Sequence, residues 1–178
     1  AIVELWPAGS RPYIGGSQHN SILELTLGYN GLGRLSGDET GSVGGGGGQG
    51  GGNWGATGIG RLFNTEIGGQ IGWLLPAALA CLALGVWFRR RAGRTDRQLT
   101  GLVVWGGWLL VTAATFSFMA GIFHAYYTVA LAPAIAALVA IGASILWEHR
   151  ASLVATLGAA FVLALTAAMS YDHVVYEK

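Results

Sequence analysis

The sequence has little charge and almost no cysteine. Of its 178 residues, 11% are charged and 52% are hydrophobic, and the mean hydropathy is +0.50. Soluble domains usually contain about 25% charged residues, so this composition excludes an ordinary soluble domain and is typical of a membrane protein. The net charge of +1, without a basic stripe, gives no indication of nucleic-acid binding. Because Cys81 is the only cysteine, a disulfide framework and a cysteine-based zinc site are excluded.

Four apolar segments come close to the length that crosses a membrane. A spanning helix needs roughly 20 mostly apolar residues. Lipid-exposed strands would leave backbone groups unpaired, so helices are expected. We therefore predict an all-α fold, a polytopic transmembrane helix bundle of about four spans over residues 71–178, preceded by a largely irregular, Gly-rich extracytoplasmic loop over residues 1–70. The predicted spans are residues 71–88, 99–118, 126–147 and 153–169.

Arginine placement predicts how the bundle is oriented. Five arginines occur within residues 89–97, directly after the first span. Short loops rich in arginine and lysine stay on the cytoplasmic side. We therefore expect residues 148–150 to lie inside as well. The other connections, residues 1–70, 119–125 and 170–178, are expected outside.

The outer loop divides into three parts. Ser21 and Glu24 are spaced as in a capping box, which predicts that a short helix starts within residues 21–27. Residues 36–60 are rich in glycine and predict a flexible tether, because they cannot bury enough apolar surface to offset their ordering entropy. Apolar residues at helical spacing predict an interfacial helix over residues 59–67.

Two features of the predicted spans concern packing. Pro76 and Pro133 fall within spans, where proline usually kinks a helix. The third span is rich in alanine and contains Gly142, which predicts close packing against a neighbouring helix.

The strongest candidate site lies between the second and third spans. His124, Tyr126 and Tyr127 stand together at the end of a long apolar stretch. Polar groups at such a depth are costly and are often functional. An imidazole can bind a metal or accept a proton, and tyrosine hydroxyls can hydrogen-bond a phosphate or a sugar. The alternative is that the tyrosines anchor the helix at the interface and that His124 only caps it.

Two further polar groups are candidates for binding. The first contains amides and aromatic residues suited to carbohydrate hydroxyls, with a solvated loop as the alternative: Tyr13, Gln18, Asn20, Tyr29 and Asn30, accompanied by His19, Glu24 and Arg34. The second, Arg61, Asn64 and Glu66, lies just before the first span. An arginine there can attract a lipid phosphate, or it can simply extend its head to the interface.

Three stretches resemble one enzyme family. They are Glu4–Ser17 with Leu27–Leu35, Arg61–Gln70, and the run Phe116–Pro133 that contains Phe118-Met119-Ala120-Gly121-Ile122-Phe123-His124-Ala125-Tyr126-Tyr127. They resemble bacterial membrane glycosyltransferases of family 39, the protein mannosyltransferase and ArnT-like group with the GT-C fold. The resemblance implies a central-to-late fragment of such an enzyme, located in the bacterial plasma membrane as a multi-pass protein.

The resemblance also implies a reaction. The family transfers a sugar, here mannose or another hexose, from a polyprenyl-phosphate donor to an acceptor on the outer membrane face. Its catalytic acidic residue lies in the first outer loop, which would precede Ala1, and a positive charge or a divalent metal would stabilise the leaving phosphate. His124, Tyr126 and Tyr127 match the family's aromatic turn facing the active-site cavity. Many relatives have proline where this chain has Ala125, a departure that concerns the geometry of the turn.

Two other classes of protein remain as alternatives. A membrane transporter would use His124 and the tyrosines to line a pathway, but it should carry ionisable groups at mid-membrane, and the spans carry none. A non-catalytic polytopic membrane subunit would be compatible with the missing acidic residue.

Overall fold

The described part of the chain is entirely helical or irregular. The computed structural model describes residues 2–37, 56–64 and 67–176, and no strand occurs among them. Three helical segments are long and apolar enough to cross a membrane: Arg97–Phe118, Ala125–Glu148 and Leu153–Tyr171. A fourth, Leu75–Arg89, is apolar but has only 15 residues. The prediction of an all-α bundle of membrane helices is confirmed.

Short helices precede the bundle. In chain order they are the 3-10 helices Ile2–Leu5 and Ala8–Ser10, the π-helix Glu24–Leu32, the single α-helical turn α1 (Gly33–Ser36) and the 3-10 helix Ile59–Phe63. The bundle then comprises α2 (Leu75–Arg89), α3 (Arg97–Phe118), the 3-10 helix Ala125–Leu131 leading into α4 (Ala132–Glu148), and α5 (Leu153–Tyr176).

Helix α2 packs against all three other long helices, and α4 packs against α3 and α5. Gly142 allows α2 and α4 to approach closely, since a Cβ atom built at that position would lie 2.5 Å from Cys81 Cβ. Close packing of the third span is therefore observed, but it rests on Gly142 and Ala134. Ala136 and Ala140, on the same helix, are exposed.

Both prolines lie in the first turn of a helix. Pro76 and Pro133 occupy the N1 or N2 position of α2 and α4. The missing N–H of proline has no intrahelical acceptor there, so proline starts these helices without interrupting them. Pro76 thus lies at the start of α2, which begins at Leu75 rather than at residue 71. Pro133 lies within the candidate span Ala125–Glu148, where the 3-10 helix passes into α4.

The outer surface of the bundle is apolar. Val103, Val111, Leu157, Phe161 and Leu163 are all at least half exposed. A helix with apolar residues on both its buried and its exposed faces is typical of a membrane span. In a bilayer, lipid chains can cover these apolar side chains, so that they are not exposed to water.

The segment that begins at Ser21 forms a helix, but of an unexpected kind. The Glu24 N–H donates to Ser21 Oγ at 3.1 Å, as the capping box predicts, whereas the Glu24 carboxylate accepts from the His19 N–H instead of closing the box. From Glu24 to Leu32 the helix is a π-helix. Most of the predicted Gly-rich tether, residues 38–55, lies outside the described residues.

Candidate functional site

The site is built around the turn that links α3 to α4, residues 119–124. The last carbonyls of an α-helix lack intrahelical partners. At the end of α3 they are satisfied from the segment that precedes α2. The Gly58 N–H donates to the Ser117 carbonyl at 2.7 Å, and Arg61 Nη1 donates to the carbonyls of Phe116 at 3.2 Å and Met119 at 2.6 Å. Residues 58–61 therefore cap the end of α3.

The same turn caps the helical arm formed by residues 24–36. The N–H groups of Ala120 and Gly121 donate to the carbonyls of Leu35 at 3.1 Å and Arg34 at 2.9 Å. Gly37 follows with φ of +83°, and a Cβ atom there would lie 3.1 Å from Ala120 Cβ. A glycine is needed at this position because both the left-handed backbone and the close approach disfavour a side chain.

Two arginines hold the turn from opposite segments. The Arg34 guanidinium lies 5.0 Å from the ring centroid of Tyr29 and donates to the Ile122 carbonyl at 3.2 Å. The Arg61 guanidinium lies 4.6 Å from the ring centroid of Phe123. Arg61 is only 3% exposed, and burial lowers its pKa.

The Arg61 side chain is directed into the protein, where it caps α3. A positive charge is favourable at this place because the C-terminal end of a helix carries partial negative charge. That Arg61 attracts a lipid phosphate stays a prediction. The 3-10 helix that carries it ends at Phe63 and buries Arg61 and Leu62, while Ile59 remains exposed.

The structure brings the predicted His-Tyr-Tyr group together as a ring cluster. The His124 and Tyr126 rings stack at 5.3 Å with an interplanar angle of 9°. Tyr127 meets Tyr126 edge-on at 4.7 Å and His124 at 5.9 Å. Tyr127 also packs on the buried Phe123 at 5.8 Å, which ties the cluster to the bundle core. Thr128 Oγ1 donates to the Ala125 carbonyl at 2.7 Å and shapes the start of the following 3-10 helix.

A cavity of about 750 Å³ lies between the arm and this cluster. Its wall is mainly apolar, with a few polar groups. The lining residues are Leu27, Asn30, Gly31, Leu32, Arg34, Leu35, Thr115, Phe116, Met119, Ile122, Tyr126, Tyr127, Val129 and Ala130. Binding sites for small molecules typically combine an apolar wall with a few polar groups that fix orientation.

The π-helix shapes one side of the cavity. Gly31 lies against the Thr26 carbonyl, and a Cβ atom at Gly31 would be 2.7 Å from that oxygen. A longer side chain would therefore disturb this turn. Tyr29, in the π-helix, lies beneath the guanidinium of Arg34, which belongs to the α-helical turn that follows.

Four of the predicted site residues belong to this region directly. Asn30, Tyr126 and Tyr127 line the cavity, and His124 stacks on Tyr126. Tyr29 contributes indirectly, since its ring supports Arg34.

Other predicted residues lie elsewhere. Tyr13 is 86% exposed, and Gln18, five residues later, is also exposed; neither lines the cavity. Asn20 Oδ1 accepts from the Ile14 N–H at 3.1 Å, and Asn64 Oδ1 accepts from the Ile67 N–H at 2.7 Å. Both asparagines thus stabilise local turns.

Glu66, the remaining member of the predicted group, lies outside the described residues.

The segment that precedes the arm has its own polar cluster. Glu4 accepts from the Leu23 N–H at 3.1 Å and from Ser21 Oγ at 2.8 Å, and it pairs with Arg11 at 3.0 Å. The hydrogen bond from Leu23 is the main reason that the pKa of Glu4 is lowered. This cluster fixes the chain before the π-helix and does not reach the cavity.

Sequence reasoning did not find the apolar wall. Phe116, Met119 and Ile122 line the cavity from the end of α3 and the turn, and Leu27 and Val129 come from two other segments. No periodic pattern links residues drawn from three segments, so only the docking of the arm on the turn reveals them. Arg34 was noted among the polar residues of the arm, but its place above Tyr29 could not be read from sequence.

The described residues do not assemble a ligand set for a metal. In the ranges 2–37, 56–64 and 67–176 no three His, Cys, Asp or Glu side chains come together. The cation nearest to the cavity in this part of the chain is the guanidinium of Arg34, which lines it.

Two proteins of Bacillus subtilis (strain 168) are similar to this chain. The one named "Putative mannosyltransferase YycA" is 33% identical over 211 residues, covering 76% of this chain and 30% of that protein. The one named "Putative mannosyltransferase YkcB" is 32% identical over 227 residues, covering 79% of this chain and 31% of that protein. The chain thus spans about 30% of the length of these curated relatives. No protein-family model and no solved structure matches the chain.

Proposed function

We propose that this chain is part of an integral-membrane glycosyltransferase of family 39 with the GT-C fold. The enzyme would transfer mannose or another hexose from a polyprenyl-phosphate donor to an acceptor at the outer membrane face. The similarity to two proteins named as mannosyltransferases supports the enzyme class. The observation that carries the proposal is the cavity at one end of the apolar helices, with an apolar wall and polar groups from the arm and the turn.

The cavity suits an amphiphilic donor. A polyprenyl-phosphate sugar has an apolar chain, an anionic phosphate and a polar sugar, so its reacting carbon must lie at the membrane interface. Phe116, Ile122 and Val129 offer an apolar wall for the first isoprene units. Arg34 is placed to attract the phosphate, because a guanidinium forms strong charge-assisted hydrogen bonds with phosphate oxygens.

The sugar would meet the polar side of the cavity. Asn30, Tyr126 and Tyr127 line it, and their amide and hydroxyl groups can donate to and accept from sugar hydroxyls. His124 stacks on Tyr126 and holds that ring in place. We place these residues on a wall that binds substrate.

The reaction would be an inverting displacement. A general base removes the proton of the acceptor hydroxyl as its oxygen attacks the sugar carbon, and the bond to the phosphate oxygen breaks. The positive charge of Arg34 would stabilise the leaving phosphate as negative charge develops on it. This chain spans about 30% of the length of the two relatives. We propose that the base comes from a part of the protein outside this chain.

The proposed orientation places the cavity outside. The connection between α2 and α3, counted with the last residue of α2 and the first of α3, carries five arginines within residues 89–97, and such connections stay cytoplasmic. The turn 119–124 is at the other end of α3, so it and the arm would face the extracytoplasmic side. Cysteine-accessibility labelling in intact cells tests this: a cysteine replacing Tyr13 should react with a membrane-impermeant reagent, and one replacing Arg94 should not.

Sugar transfer by the full-length protein in proteoliposomes tests the proposal. The donor is a labelled polyprenyl-phosphate mannose, and acceptor fractions of the cell envelope are scored for label. Tyr127→Phe and His124→Ala should each lower the rate at least severalfold, because a single hydrogen bond or ring support contributes on the order of 1 kcal/mol. Tyr13→Phe is the matched control, since Tyr13 is exposed and does not line the cavity.

Two results would contradict the proposal. Full activity in both His124→Ala and Tyr127→Phe would remove the cavity wall from the site. Absence of sugar transfer by the wild-type protein from any polyprenyl-phosphate sugar would favour a non-catalytic membrane subunit. The transporter alternative is disfavoured because no charged residue occurs between Arg97 and Glu148.

A further inference from the structure

The opposite end of the bundle carries the same four-residue pattern twice. The end of α2 runs through Trp87-Phe88-Arg89-Arg90, and the end of α4 runs through Trp147-Glu148-His149-Arg150. In each case a tryptophan in the last turn is followed three residues later by an arginine just beyond the helix.

The two patterns have the same local geometry. The Arg90 guanidinium lies 3.9 Å from the Trp87 ring centroid, and Arg90 Nη1 donates to the Trp87 carbonyl at 2.6 Å. The Arg150 guanidinium lies 5.0 Å from the Trp147 ring centroid, and Arg150 Nη1 donates to the Trp147 carbonyl at 3.0 Å. Each arginine is thus held above a ring, and its remaining N–H groups are oriented before any ligand arrives.

Contacts between the two helix ends place the patterns side by side. The Arg89 side chain donates to the Glu148 carboxylate, and the rings of Phe88 and His149 lie 4.7 Å apart. Gln98, at the start of α3, donates to the same carboxylate at 2.6 Å.

The charges at this end are unevenly paired. Arg89 is within salt-bridge distance of Glu148 and, at 3.8 Å, of Asp96. Because both carboxylates of this end are thereby engaged by Arg89, Arg90 and Arg150 keep their positive charge toward the exterior, where both are exposed. Across residues 87–98 and 147–150 the sequence has six arginines and two carboxylates, a net charge of +4 with histidine neutral.

We propose that the two tryptophan–arginine pairs form a binding site for the phosphate of an anionic phospholipid in the leaflet at this end of the bundle. Charge complementarity points to this occupant, since clusters of arginine just outside membrane helices attract anionic lipids. The rings add a second argument: Trp87 and Trp147 are 56% and 70% exposed, and tryptophan prefers the headgroup level of a bilayer. The proposal does not depend on the enzymatic activity.

The guanidinium groups give the site its selectivity. Arginine can bind a phosphate through two parallel N–H bonds. Zwitterionic and anionic lipids both carry a phosphate, but only in an anionic lipid is the phosphate charge not balanced by a positive headgroup. The site should therefore prefer phosphatidylglycerol to phosphatidylcholine.

Native mass spectrometry of the full-length protein from vesicles of equal phosphatidylglycerol and phosphatidylcholine tests this. The wild-type protein should retain phosphatidylglycerol selectively. Arg90→Gln and Arg150→Gln should each weaken that retention about fivefold, because each arginine near the surface contributes on the order of 1 kcal/mol. Arg94→Gln is the matched control, because Arg94 is an exposed arginine of the same loop for which no tryptophan stacking is observed.

Three outcomes would overturn the proposal. One is equal retention of the two lipids by the wild-type protein. Another is a loss in Arg94→Gln as large as that in Arg90→Gln, which would show that total charge alone decides. The third is displacement of the bound lipid by millimolar inorganic phosphate, which would indicate a site for a free anion. Arg90→Lys keeps the charge but not the forked guanidinium, so its retention of phosphatidylglycerol should lie between that of the wild-type protein and that of Arg90→Gln.

Discussion

Arginine side chains differ in burial between the two ends of the bundle. At the cavity end, formed by the arm and the turn 119–124, Arg61 is buried and donates to two backbone carbonyls. At the arginine end, formed by residues 87–98 and 147–150, Arg90 and Arg150 stack on tryptophan rings and remain exposed. Arginines at both ends donate to carbonyls near the end of a helix, so the difference lies in burial. The guanidinium of Arg61 is enclosed by the protein, whereas Arg90 and Arg150 keep their positive charge at the surface.

The largest expected effect comes from removing the buried arginine. Arg61→Met leaves the carbonyls of Phe116 and Met119 without this donor, and each unsatisfied buried acceptor costs about 1–3 kcal/mol. We expect a lower unfolding temperature of the full-length protein in detergent and loss of most sugar transfer, because the turn carrying the ring cluster loses its support.

Arg90→Met is the control for that change. It removes the same functional group from the exposed end and should alter the unfolding temperature by far less, since exposed charge contributes little to stability. Equal destabilisation by the two variants would erase the distinction between the two ends.

A substitution between the two ends should affect both together. Gly142→Ala puts a Cβ atom 2.5 Å from Cys81 Cβ and forces α2 and α4 apart. Overpacking of this kind costs about 1–3 kcal/mol, which thermal unfolding in detergent can measure. Gly107 lies on the exposed face of α3, and a Cβ atom built there would have no neighbouring residue within 4 Å. Gly107→Ala should therefore be neutral or slightly stabilising. The same loss in both variants would contradict the close helix contact.

A smaller change is expected from breaking the carboxylate contact at the arginine end. Glu148→Gln removes the negative charge to which Arg89 and Gln98 both donate. Because these side chains are partly exposed, the free energy of unfolding should fall by less than about 1 kcal/mol. The rate of sugar transfer should not change. A transfer defect in Glu148→Gln, measured in proteoliposomes, would show that the two ends are coupled.

The smallest expected effect is the loss of the Glu4–Leu23 hydrogen bond, which precedes the arm, when Glu4 is protonated at low pH. The pKa of Glu4 is lowered chiefly by the Leu23 N–H bond, so its contribution to arm order is present above the unfolded pKa of about 4.3 and is lost as the pH falls through the folded pKa. Hydrogen exchange at the Leu23 N–H should therefore lose protection as the pH falls below the ordinary pKa of a glutamate and through the lowered pKa of Glu4. Glu4→Gln should already show reduced protection at neutral pH. Unchanged exchange in that variant would contradict the assignment.

The helical bundle could be predicted because hydropathy acts over long segments. An apolar run of 20 residues has few alternatives to a membrane helix, and residues 99–118 agree with the observed Arg97–Phe118. Pro76 shows the limit of this reasoning, because it was expected inside a span but lies in the first turn of α2, whereas Pro133 does lie within the candidate span Ala125–Glu148. Hydropathy does not distinguish the first turn of a helix from its middle.

The candidate site was predictable only in part. The grouping of His124, Tyr126 and Tyr127 follows from their nearness in sequence, and their rings do form one cluster. Asn64 and Asn20 were predicted as substrate-binding candidates, and the structure adds that the side-chain oxygen of each accepts from a nearby backbone N–H. A polar residue in a loop has the same sequence signal in both roles, because the backbone group that it serves is not visible in the sequence.

The sequence by itself determined the apolar helices and the excess of arginine at one end, because both depend on composition within short segments. Tertiary structure alone decided what the arginines do. Arg61 caps α3 from a segment more than 50 residues earlier in the chain, and Arg34 reaches the Ile122 carbonyl across 88 positions. Such contacts depend on which backbone groups remain unpaired after the helices have packed, and that is settled only when distant segments meet.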